Sequence, residues 1–145
     1  MNYHWLKPHQ LNPQTFSMSD LLYPRLWWAL GSLWLAVVVY ASVADLNLPQ
    51  IDSSWGDKAN HLLAYGFLMG WFGQLLKSSR HWLFTAVGLV LMGMLMEIIQ
   101  GTLPHRWFDV KDAAANSLGV LLALLVLYAG GNRILRRFEK MATRS

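Results

Sequence analysis

The chain has 145 residues, 54% of them apolar and only 14% charged, with 12 Lys plus Arg against 8 Asp plus Glu and a net charge of +4. That charged fraction lies well below the roughly 25% of ordinary soluble domains, and eight tryptophans exceed what a small soluble core uses. The lack of cysteine excludes disulfides, thiolate nucleophiles and Cys-ligated zinc.

In chain order, a Pro-containing arm over residues 1–25 precedes four long apolar stretches, each of roughly 18 to 20 residues, the length that crosses a bilayer's hydrocarbon core. The first runs from Leu26 to Val43 without a charge. A cleavage-like Ser42-Val43-Ala44 closes it, but the run is long for a signal-peptide core, so it reads as a span. The second, Ala59 to Leu76, opens on Asn60 and His61; the third, Trp82 to Gln100, is apolar until Glu97; the fourth covers Ala113 to Ala129. Residues 131–145 form a basic tail. The expected fold is therefore an all-α membrane protein, a bundle of four transmembrane helices over 26–130 in contact with the lipid bilayer.

Four crossings put both termini on one side, and charge chooses the side. Lys7, Arg25, Lys77, Arg80, Arg133, Arg136, Arg137, Lys140 and Arg144 fall on that side, against Lys58, Arg106 and Lys111 on the other. By the positive-inside rule both termini are cytoplasmic. Asp45, Asp52, Asp57, Glu97, Asp109 and Asp112 all lie on the outer side or at its edge. The excess positive charge is thus a topology signal, and no nucleic-acid partner is expected. Trp27, Trp28 and Trp82 at inner ends and Trp55 and Trp107 at outer ones fit interfacial anchors, with Trp34 and Trp71 left as packing residues. Gly66 with Gly70, and Ala115 with Gly119, have the four-residue spacing that lets helices approach closely within a bundle.

Polar residues at membrane level need mutual pairing or a function, and here three helices bring them to one depth. Asp57, His61 and Tyr65 share a face of the second span. Glu97 and Gln100 share one at the end of the third, with Gly93 a turn deeper leaving room beside the carboxylate. Asp109, Asp112, Asn116 and Gly119 line the start of the fourth.

Several chemistries suit this set. Glu97 follows an apolar run, and partial desolvation there suits a proton donor or acceptor; His61 can shuttle protons. Glu97 and His61 are accordingly the catalytic candidates. Arg106 has a planar fork for carboxylate or phosphate, and Lys58 supplies a second cation from another helix, so the two can clamp an anionic ligand. Asp57, Lys58, Gln100, Arg106, Asp109, Asp112 and Asn116 are the ligand-binding candidates. His61, Glu97, Asp109 and Asp112 also offer metal donors, but no paired histidines on one helix support a metal site, and no metal or other cofactor is expected. The blander alternative is an ion-pair lattice that registers three helices. Tyr65 reads as a packing or belt residue and is left out of the site, as are His105 and Lys111. There is no nucleophile elbow or Gly-rich phosphate loop.

These blocks, Asp57-Lys58 with His61, Glu97 with Gln100, and Arg106, Asp109, Asp112, Asn116 with Gly119, resemble the VanZ-like family of small membrane proteins over about Trp55 to Tyr128. The family is named for a protein that lowers susceptibility to the glycopeptide teicoplanin. The resemblance implies a multi-pass protein of the bacterial plasma (inner) membrane linked to the cell envelope or antibiotic response, with the nine polar positions as signature residues, and it assigns no reaction. The leading expectation is an outward-facing polar cluster that binds an anionic envelope amphiphile, such as a lipid-linked precursor or a lipoglycopeptide. The alternatives are a membrane-embedded hydrolase or transferase using Glu97 or His61, and a structural or partner-binding subunit.

Overall fold

The computed structural model describes residues 21–44, 54–104 and 106–143. The amino-terminal arm through residue 20, Asp45, Asp52, His105 and Arg144 lie outside the described residues, as does the side chain of Trp55. The described chain is helical: α1 Pro24–Val43, α2 Ser54–Leu75, α3 Ser79–Gln100, α4 Val110–Tyr128 and α5 Ile134–Ala142, with a 3₁₀ turn over Gly131–Arg133 between the last two.

Local chemistry sets the helix ends. Pro24 occupies the first turn of α1, where its missing N–H has no intrahelical use and its fixed φ suits a helix. Ser78 caps α3, and the Asp109 side chain accepts from Lys111 N at 2.8 Å to cap α4. Beyond α4, Gly130 adopts φ 100°, a left-handed conformation that glycine reaches without a Cβ penalty.

Contacts at both ends show that the four long helices alternate in direction. At one end the start of α1 meets the end of α2, Trp71 Nε1 donating to Trp27 O at 3.0 Å. The start of α3 joins them there, Trp82 Nε1 donating to Gly73 O at 3.0 Å and its ring packing edge-on to Tyr128 near the end of α4. At the other, distal end, Gln100 Nε2 donates to Ser42 O at 2.8 Å, and Lys58 reaches Asp109 and Asp112. Trp27 and Trp82 thus use their indole N–H groups inside the protein, Trp27 on Glu139 and Trp82 on a backbone carbonyl, where interfacial anchoring was expected.

Three helices, α1, α3 and α4, are long and apolar enough to cross a membrane; α2 is not, by composition. The packing explains the difference. α2 lies closest to α4 and buries Tyr65, Leu68, Met69, Phe72 and Leu75 in the core, so its own outward face is small. α3 instead carries Leu83, Val87, Leu91, Leu95 and Ile98 along one face, each more than half exposed, a stripe that matches hydrocarbon and not water. Glycines make the α2–α4 seam. A Cβ at Gly119 would run into the Leu62 carbonyl and stand 3.0 Å from Gly66 N. Gly66 therefore faces Gly119, while a Cβ at Gly70 would meet nothing within 4 Å.

The tail read from sequence as a basic segment over 131–145 contains α5, which folds back on the bundle. Glu139, only 4% exposed, accepts hydrogen bonds from Leu22 N, Tyr23 N and Trp27 Nε1 at 2.8, 3.1 and 2.6 Å. Gln74 holds the preceding turn, its amide donating to Gly131 O at 2.6 Å and accepting from Leu135 N at 3.3 Å.

Candidate functional site

At the distal end α2 presents Asp57 and Lys58, and His61 one turn on, and the start of α4 presents Asp112 and Asn116 opposite them. Lys58 Nζ sits 3.1 Å from Asp109 Oδ2 and 3.0 Å from Asp112 Oδ1, joining the cap of α4 to its first turn. The Lys111 N–H, and after it Lys58, hold the Asp109 carboxyl below the usual carboxylate range.

His61 Nδ1 lies 3.0 Å from Asn116 Oδ1. A carboxamide oxygen only accepts, so Nδ1 donates that bond, and Nε2 faces away from it. That nitrogen stands 3.9 Å from Asp57 Oδ1 and 3.8 Å from Asp112 Oδ2. Asp57, His61 and Asp112 can each turn a donor atom toward a common point, with the atoms within 4.8 Å of one another. Lys58 already supplies the countercharge at Asp112, however, and a divalent cation would meet that ammonium group.

Beneath this layer is a buried polar knot. Glu97, 1% exposed, accepts a long 3.4 Å bond from Asp109 N through Oε2. Its Oε1, Tyr65 Oη and Asn116 Nδ2 are buried with no hydrogen-bond partner among the described residues. Gly93 makes the space: a Cβ there would come within 3.2 Å of Asn116 Nδ2 and of the Tyr65 ring. The room that Gly93 leaves is filled by Tyr65 and Asn116.

Beside the knot a cleft of about 270 Å³ opens between α1, α2, the end of α3 and the loop before α4. Asp57, Asn60, His61, Gln100 and Arg106 supply its polar wall, and Trp34, Val37, Val38 and Ala41 of α1 its apolar wall, with Tyr65 at its lining. Among the described residues Arg106 forms no ion pair, whereas Lys58 forms two. The expected clamp of two cations is therefore an arrangement in which Arg106 lines the cleft and Lys58 braces the helices behind it. Glu97 is absent from the lining, and His61 belongs to it.

Of the residues singled out from sequence, Asp57, His61, Gln100 and Arg106 meet in the cleft. Lys58, Asp109, Asp112 and Asn116 form the bracing layer, and Glu97 lies beneath. Sequence reasoning missed the α1 wall, since an uncharged span carries no polar pattern to mark one face. Tyr65, read from sequence as a packing or belt residue, is buried in the core and also lines the cleft.

The VanZ/LLP1 family model matches residues 6–135, extending the likeness toward the amino terminus beyond the polar blocks and through the start of α5. The search of curated proteins gave no match. The search of solved structures also gave none.

Proposed function

We infer from this chain, which belongs to the VanZ/LLP1 family, a four-span protein of the bacterial inner membrane whose distal cleft faces outward and binds an anionic envelope amphiphile. The observation that carries the reading is Arg106, a cation with no ion pair among the described residues, in a cleft whose opposite wall is Trp34, Val37, Val38 and Ala41. An amphiphile's phosphate or carboxylate suits the guanidinium fork, and its first methylenes suit the α1 wall, which a membrane helix exposes to lipid. Asp57 at the rim disfavours bare anions that approach without an apolar segment to anchor them. Lipid-linked cell-wall precursors and lipoglycopeptides share this chemistry, and the family's association with teicoplanin susceptibility makes the second a direct probe.

Equilibrium binding of teicoplanin and of a lipid-linked precursor to the detergent-solubilised protein tests the reading. Arg106→Glu is expected to weaken whichever ligand binds by about a hundredfold, the order of a lost charge-assisted pair replaced by repulsion. Unchanged affinity in a variant of normal thermal stability contradicts it. A second reading, acid or base catalysis on the bound amphiphile, is favoured by one observation: His61 lines the cleft with Nε2 directed away from its Asn116 bond. Product formation that is lost in His61→Gln while binding persists would establish that reading.

A further inference from the structure

The opposite end of the molecule holds a larger groove, about 680 Å³, between α2, α4 and α5, with Trp27 of α1 at its side. Its walls are Trp27, Phe67, Trp71, Leu127, Ile134 and Phe138, and Gly66 and Gly70 form part of its floor. The polar groups bordering it are all engaged elsewhere. Trp27 Nε1 is bound to Glu139, Trp71 Nε1 to Trp27 O, and the Gln74 amide to Gly131 O and Leu135 N. What remains toward the groove is hydrocarbon, which suits an alkyl chain and offers nothing to a polar ligand. Gly70 keeps it open, since a Cβ there would meet nothing within 4 Å.

The helix that forms one wall of the groove, α5, is basic. Residues 133–142 carry Arg133, Arg136, Arg137 and Lys140 against Glu139, and Glu139 is buried against α1. On α5, Ile134, Phe138 and Met141 fall on one face at helical spacing, each more than half exposed; Arg137 borders that face, and Lys140 follows Arg137 one turn on. A short basic helix with an exposed apolar stripe, docked at the end of a membrane bundle, lies at headgroup level and attracts anionic lipid.

We propose that this groove is a lipid site that takes one acyl chain of an anionic phospholipid, with the lipid phosphate held against Arg137 and Lys140 of α5. The groove wall and the basic side chains are separate features of the same helix, α5, and a phospholipid is the partner that needs both. This site is independent of the distal cleft.

The test uses full-length protein reconstituted in vesicles of equal phosphatidylglycerol and phosphatidylcholine, extracted in mild detergent and weighed by native mass spectrometry. The wild type is expected to retain a single phosphatidylglycerol, at about tenfold preference over phosphatidylcholine. Gly70→Leu, whose side chain grows into the open groove, is expected to lose retention of both lipids. Arg137→Glu with Lys140→Glu is expected to keep a lipid but lose the preference. Undiminished retention in a monodisperse Gly70→Leu protein overturns the proposal, as does equal wild-type retention of the two lipids, or a dimer mass in place of the lipid adduct. Should Gly70→Leu not fold, the charge variant decides, and an unchanged preference there is equally fatal. Teicoplanin or precursor binding measured on the same samples reports on the distal cleft, so failure of one reading is distinguishable from failure of the other.

Discussion

Tyr65 shows how a single side chain can be conspicuous for what it does not bond. Its hydroxyl is buried among α2, α3 and α4 with no partner among the described residues, beside a Glu97 oxygen and an Asn116 amide in the same condition. A buried polar atom left unpaired costs about 1–3 kcal/mol, so Tyr65→Phe, which keeps the ring packing, is expected to hold or raise the thermal midpoint of the purified protein. A clear drop would mean that the hydroxyl has a partner in the working protein and belongs to the site. At this scale much was legible. Asp57, His61, Glu97, Gln100, Asp112 and Asn116 were identifiable because ionisable or amide groups at three- and four-residue spacing within apolar runs have few innocuous explanations. The division of labour between Lys58 and Arg106 was not legible, because it depends on which carboxylates each cation reaches across helices, and spacing along one helix is silent on that.

At the scale of elements, the four long helices start and end close to where the apolar runs do, since hydrocarbon length and capping residues such as Ser78 and Asp109 both act locally. α5 escaped notice because its arginines and lysine were read for their charge, which obscured the spacing of Ile134, Phe138 and Met141 between them. Its attachment rests on Glu139. Burial raises the pKa of that carboxyl, but the bonds from Trp27 Nε1, Leu22 N and Tyr23 N outweigh burial and hold it below the ordinary value of 4.5. A folded-state pKa below the unfolded one gives stability that is complete above the unfolded value and fades as pH falls through the folded one. Wild type is therefore expected to unfold at a higher temperature than Glu139→Gln at neutral pH, with the gap closing as pH falls through and below the ordinary carboxyl range. Asp109, also lowered, is common to both proteins and cancels in the comparison. A gap that does not change with pH would remove the charged carboxylate from the clamp.

For the whole molecule, alternation of the four long helices puts Leu21 and α5 at one end and the cleft at the other. The same alternation takes α2 through the full length of the bundle, shielded by its neighbours, and we propose that it serves as a fourth crossing. By the positive-inside rule we propose an orientation with the basic end inward. Reporter fusions after Lys77 and after Arg106 should read opposite sides of the membrane, Lys77 inside; the same side for both would overturn the four-span arrangement.

The most direct measurement of the central claim is photocrosslinking from the cleft in living membranes, with a photoreactive residue at Ala41 in otherwise wild-type protein and in Arg106→Glu at matched abundance. The account predicts an adduct bearing an anionic head and an alkyl chain, formed by the first protein and lost in the second. No adduct of that class, or one formed equally in both, would contradict it.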